Sequence, residues 1–165
     1  MKATHANLNE EQLGKTVLDA AFKVHTSLGP GLLESVYEAA LAFELTKRGL
    51  HVERQKPIHV YYEGNPLEVG FRADLIVNEL VLIELKSTEA ITPQFRKITT
   101  NYLRLIPLKL GYIINFNEVS LRDGIIRLTN GLEGKDFFKA RVASVDFKKT
   151  SPTSLTSRPS REIPT

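Results

Sequence analysis

The chain predicts an α/β fold in which helices flank a mixed sheet, in the order ααβββαβ. Three observations carry this: two helical stripes within the first fifty residues, β-rich segments from 52 to 87, and an apolar strand reached through one further helix. At 165 residues, with 42% hydrophobic and 25% charged content, the chain suits one soluble domain able to bury a core. We expect a flexible N-terminus over 1–8, a single domain over 9–149, and a disordered tail over 150–165, where Ser, Thr, Pro and Arg dominate.

Asn9 followed by Glu10 and Glu11 is an N-cap with acidic first-turn residues. Leu13, Val17, Ala20, Ala21, Val24 and Leu28 then recur at helical spacing. Gly29-Pro30-Gly31 breaks this helix, and a second one is expected from about 32 to 48, closed by Gly49. Strands follow at 58–62, at 67–77 with a bulge at Gly70, and at 81–86, with turns at Gly64-Asn65 and Asn78-Glu79. Thr92-Pro93 opens a third helix that carries Phe95, Ile98, Tyr102 and Leu105 on one stripe up to Pro107. The segment 109–116 reads as a strand parallel to 81–86 and buried on both faces. Residues 125–128 read as a short edge strand, and 135–147 as either a strand or an ordered arm.

The strand Val81-Leu82-Ile83-Glu84-Leu85-Lys86 sends Glu84 and Lys86 to one face, because strand side chains alternate. Asp74 joins them only if paired positions of the hairpin sum to 158, which requires a three-residue loop at Asn78-Glu79-Leu80 or an equivalent bulge. A two-residue turn would send Asp74 to the other face. Two carboxylates on one face offer hard oxygen ligands suited to Mg²⁺ or Mn²⁺, and a neighbouring lysine can stabilise charge developing on a phosphate. The competing reading is a solvated face with a cross-strand ion pair. Against it stands the position of Glu-x-Lys, which interrupts an apolar run at a strand end that feeds a helical crossover.

Other chemistries are poorly supported. The absence of cysteine excludes disulfides and thiolate metal sites. His25, His51 and His59 are scattered, and Ser35, Ser87 and Thr88 have no evident histidine and acid partners. No apolar run approaches the roughly 20 residues needed to span a bilayer, so the expected address is cytoplasmic, with no membrane partner. The net charge of +3 is uneven: residues 135–165 carry seven Lys/Arg against three Asp/Glu, and the remainder fifteen against sixteen. Any basic groove for nucleic acid must therefore be local.

Gly31-Leu32-Leu33-Glu34-Ser35-Val36-Tyr37 resembles the G-x-x-E-x-x-Y signature of a bacterial family named for it. Val24-His25, Lys47-Arg48-Gly49-Leu50, Arg72-Ala73-Asp74-Leu75, Ile83-Glu84-Leu85-Lys86, Asn101-Tyr102-Leu103 and Ile114-Asn115-Phe116 extend the likeness over residues 10–130. That GxxExxY family is placed in the PD-(D/E)xK nuclease superfamily. The resemblance implies a metal-dependent hydrolase cutting nucleic-acid phosphodiesters, in DNA or RNA, with DNA the expected partner. Asp74 and Glu84 would be metal ligands for Mg or Mn, Lys86 the catalytic lysine, and Glu34 the carboxylate added from a helix. Tyr37 and Tyr102 are candidate substrate contacts, set against the reading that each packs its ring in the core. At about 100° per residue, Glu34 falls on the edge of the apolar arc; Glu44 lies nearer its middle and needs a partner such as Arg72 or Arg48. The chain departs from the resemblance at Ile98 and Phe95, where related proteins often carry Gln and His. That departure motivates an alternative: a weakly active or inactive module that binds nucleic acid or protein on the same scaffold.

Overall fold

A computed structural model describes residues 8–131. The expected elements at 135–147, the tail at 150–165 and most of the N-terminal segment 1–8 lie outside those residues. Nine elements follow in order: α1 (Glu10–Leu28), α2 (Glu34–Lys47), β1 (Val52–Tyr62), β2 (Asn65–Val77), β3 (Val81–Lys86), α3 (Pro93–Leu105), β4 (Leu110–Asn115), a 3-10 turn (Leu121–Gly124) and β5 (Ile125–Thr129). The α/β expectation with order ααβββαβ therefore holds, with the short edge strand added as β5.

Each boundary has a local cause. Asn9 accepts a hydrogen bond from the Gln12 N–H, and Gln12 returns one from the Asn9 N–H, closing a capping box at the start of α1. Gly29 ends that helix at φ 69°, a left-handed conformation that suits glycine. Thr92 caps α3, with Pro93 as its first residue.

Among the described residues the sheet has five strands in the order β1-β2-β3-β4-β5, antiparallel except for the parallel pair β3/β4. All six residues of β3 and all six of β4 are buried, because helices cover both faces. On one face α1 and α2 supply Leu13, Val17, Tyr37, Leu41 and Leu45 to a core with Leu75, Val77, Ile83, Leu85, Ile114 and Phe116. On the other, α3 supplies Tyr102 and Leu103 against Ile58, Ile76 and Leu82. Each such fully buried aliphatic side chain contributes about 1.5–3 kcal/mol.

The β2/β3 hairpin has the register the chemistry needs. Leu75 pairs with Ile83, Ile76 with Leu82 and Val77 with Val81, which leaves a three-residue loop of Asn78, Glu79 and Leu80. Asn78 and Glu79 take positive φ (50° and 56°), and Asn78 is tied to His51 by two hydrogen bonds, one through its side chain and one through its N–H.

Two details differ from the sequence reading. β1 begins at Val52 rather than near 58, because its polar first half pairs with Ala73–Val77 despite carrying Arg54, Gln55 and Lys56. The irregularity expected at Gly70 lies just beyond it, as a register shift between His59 and Tyr61. Gly70 itself is required for close approach, since a Cβ there would stand 2.5 Å from the Ile58 carbonyl oxygen.

Candidate metal and phosphodiester site

The 158 register brings Asp74 beside the C-terminal end of β3. One carboxylate oxygen of Asp74 accepts the Leu85 N–H at 2.8 Å, and the other accepts the Gln55 amide at 3.2 Å. Burial pushes its pKa up, opposed by the Leu85 N–H and the charge of Lys86.

Glu84 is more confined, with 8% of its surface exposed. Its Oε1 accepts from the Lys86 ammonium at 2.9 Å, while Oε2 is buried and, among the described residues, has no hydrogen-bond partner. Burial, reinforced by the negative charge of Asp74 and offset by Lys86, pushes its pKa up to about 7. A buried carboxylate oxygen without a donor is costly, and functional sites are where such costs are retained.

Lys86 is held on several sides. Its ammonium donates to the Leu85 carbonyl at 2.6 Å, stands 3.8 Å from Glu34 and lies 5.4 Å from the centre of the Phe95 ring. The strand end it occupies is clamped from β4. The Phe116 N–H donates to the Lys86 carbonyl, and the fully buried Asn115 accepts from the Thr88 N–H and donates to the Thr88 carbonyl.

Glu34 opens α2, half-exposed, with its pKa raised by burial and lowered by Lys86 and the Ser87 N–H. The three-carboxylate set of Asp74, Glu84 and Glu34 is not drawn together as a preformed cage: no group of three acidic or histidine side chains with metal-holding spacing occurs among the described residues. Glu34 joins the other acids through Lys86.

The tyrosines part company. Tyr37 is fully buried, stacks on Phe116 at 4.5 Å, donates its hydroxyl to the Gly29 carbonyl and accepts from the Leu32 N–H. Those bonds commit it to holding the Gly29-Pro30-Gly31 turn, the packing role rather than the substrate contact. Tyr102 lies 8% exposed on the α3 side, its ring 4.9 Å from Phe71 and its pKa raised by burial and by the charges of Glu84 and Asp74. Ile98 packs on the apolar cluster beneath α3.

A match to the model of the PD-(D/E)XK nuclease superfamily covers residues 11–128 and takes in every one of these side chains. The chain belongs to the PD-(D/E)XK nuclease superfamily. Membership in this nuclease superfamily carries a nuclease-like function in general and a nucleic-acid substrate. Neither the curated proteins nor the solved structures yield a match to the chain.

Two site residues escaped the sequence reading. Glu38, buried one turn beyond Glu34 on α2, accepts from Arg54 at 2.9 Å and from Gln55 at 2.6 Å. The i, i+4 spacing of Glu34 and Glu38 was the available signal, since it puts both acids on one helix face. Gln55 gave none, because it sits in a polar stretch that does not read as a strand.

Proposed function

We propose that the chain is a metal-dependent nuclease, with Asp74 and Glu84 the ligands of Mg²⁺ or Mn²⁺, Glu34 completing the acidic rim and Lys86 the catalytic lysine. The observation that carries this reading is the orphaned Oε2 of Glu84, buried beside a second carboxylate of raised pKa. The donor set is all oxygen, which suits a hard divalent cation. A cation bound there supplies positive charge to a phosphate oxygen and acidity to a bound water. Lys86, whose ammonium is fixed by the Leu85 carbonyl and Glu84, would stabilise negative charge developing on the phosphate. Glu34, half-exposed at the start of α2 and 3.8 Å from the Lys86 ammonium, would add its carboxylate from the helix side.

The finer assignment, to the GxxExxY family acting on DNA from one domain over 9–149 in the cytoplasm, rests on the signature from Gly31 to Tyr37. No described helix is long and apolar enough to cross a membrane. The test is cleavage of linear, nicked and single-stranded DNA and of RNA with Mg²⁺ or Mn²⁺. Activity lost in Asp74→Ala supports the proposal, and intact substrates under every condition contradict it. One observation favours the second reading, a binding module that cuts weakly: Ile98 is absorbed into packing, so the position where related proteins often carry glutamine brings no amide to the site.

A further inference from the structure

Gln55 occupies an unusual place. It lies inside β1, between Arg54, which pairs with Leu75, and Lys56, which pairs with Ala73, so that Asp74 is its opposite number. Its φ is +49°, the left-handed region that side chains other than glycine, Asn and Asp seldom adopt.

Alternation breaks at the same point on both strands. Val52 packs with the core under α1 and α2, whereas Ile58, six residues on, belongs to the core under α3. Likewise Leu75 serves the first core and Ala73 the second, though a regular strand would send both to one face. The twisted point of the hairpin is thus the Gln55/Asp74 pair, and the left-handed turn of Gln55 aims its amide into the acidic cluster.

There the amide nitrogen donates to Glu38 at 2.6 Å and to Asp74 at 3.2 Å. Ionised carboxylates only accept, so both protons of one neutral NH₂ group are used to hold two acids side by side. Glu38 is itself fixed by Arg54 at 2.9 Å. With Leu85 holding the other Asp74 oxygen, the carboxylate is gripped from two directions.

We propose that Gln55 is a positioning residue for the metal site: its carboxamide, anchored on Glu38 and Arg54, fixes the Asp74 carboxylate so that its remaining lone pairs face the space beside Glu84. This rests on the metal reading given above. A backbone held in a disfavoured conformation in order to place one amide is a pattern found at functional sites, and hydrogen bonds behind a ligand tune metal affinity.

The test uses the full chain and Mn²⁺ calorimetry with Gln55→Asn and Gln55→Met. Asn tolerates positive φ but is one methylene too short to reach both acids; Met keeps the length and lacks the donor. We expect an unchanged or higher unfolding temperature for Gln55→Asn, with Mn²⁺ affinity reduced about tenfold or more in both variants. Affinity within about twofold of wild type in both would overturn the inference alone. A wild-type protein that takes up no Mn²⁺ would sink the metal reading and this inference with it. A metal-free readout accompanies these: the Gln55 side-chain amide protons should exchange slowly in ¹⁵N NMR spectra and shift in Glu38→Ala. An amide exchanging as freely as an exposed one also overturns the inference.

Discussion

Glu44 and Glu84 are glutamates that each expose 8% of their surface, yet the fold treats them oppositely. Glu44 lies between Lys23 at 2.9 Å and Arg48 at 3.1 Å, and the hydrogen bond from Lys23 leads the effects that hold its pKa down. Arg48, one of the two alternatives expected as its partner, is in place, and Lys23 joins it. Among the described residues Glu84 pairs with one cation, Lys86, whose charge also acts on Asp74 and Glu34; it keeps one oxygen without a donor and has its pKa pushed up to about 7. Glu44 is a carboxylate the fold neutralises for its own stability. At Glu84 the fold leaves negative charge in excess, the condition for receiving a cation.

The largest expected effect comes from removing the cation Glu84 does have. Lys86→Met keeps the apolar stem but takes away the ammonium, and cleavage should fall by about 100-fold or more, as measured on whichever nucleic acid the wild type cuts. The same substitution on the Glu44 side, Lys23→Met, should leave cleavage unchanged.

Glu84→Gln should stabilise the metal-free protein by about 1–3 kcal/mol at pH 8. The sign follows from the raised pKa: the stability associated with Glu84 is fully present below its unfolded value near 4.5 and is lost as pH rises through about 7. The gain should therefore shrink toward zero as pH falls below that window, in urea melts taken across it. A destabilised variant at pH 8 would show that Glu84, like Glu44, is satisfied by its surroundings.

Tyr37→Phe sharpens the contrast between scaffold and site. Losing a buried hydroxyl that serves both Gly29 and Leu32 should cost about 1–2 kcal/mol in denaturant unfolding, with Mn²⁺ affinity unaltered. The smallest effect belongs to Glu44→Gln, a loss of about 1 kcal/mol or less, because Lys23 is half-exposed and screened. Its pKa is lowered, so that loss should be present above pH 4.5 and vanish as pH falls through the folded value, the reverse of Glu84.

Much of this contrast was legible in the residues. Glu-x-Lys interrupting an apolar strand, and the condition that Asp74 needs a three-residue loop, both follow from the period of two in a strand, and Leu75↔Ile83 satisfies that condition. The capping residues Asn9 and Thr92 marked helix starts because their side chains do one local job. What escaped depends on contacts distant in sequence. The first half of β1 is hidden because Arg54 and Gln55 point charge and amide toward acids 16 or more residues away, and Lys56 pairs with Glu53, rather than alternating toward a core. Tyr37 and Glu34 share one helical turn, but only packing against Phe116 and proximity to Lys86 give one to the scaffold and the other to the site.

The most direct measurement is Mn²⁺ calorimetry on the wild type and on Glu84→Gln from pH 6 to pH 8.5. The account expects one site in the wild type, tighter as pH rises through about 7 as Glu84 gives up its proton, and binding at least about tenfold weaker in the variant at pH 8.5. Binding of equal strength in the two proteins, or no binding by the wild type, would contradict it.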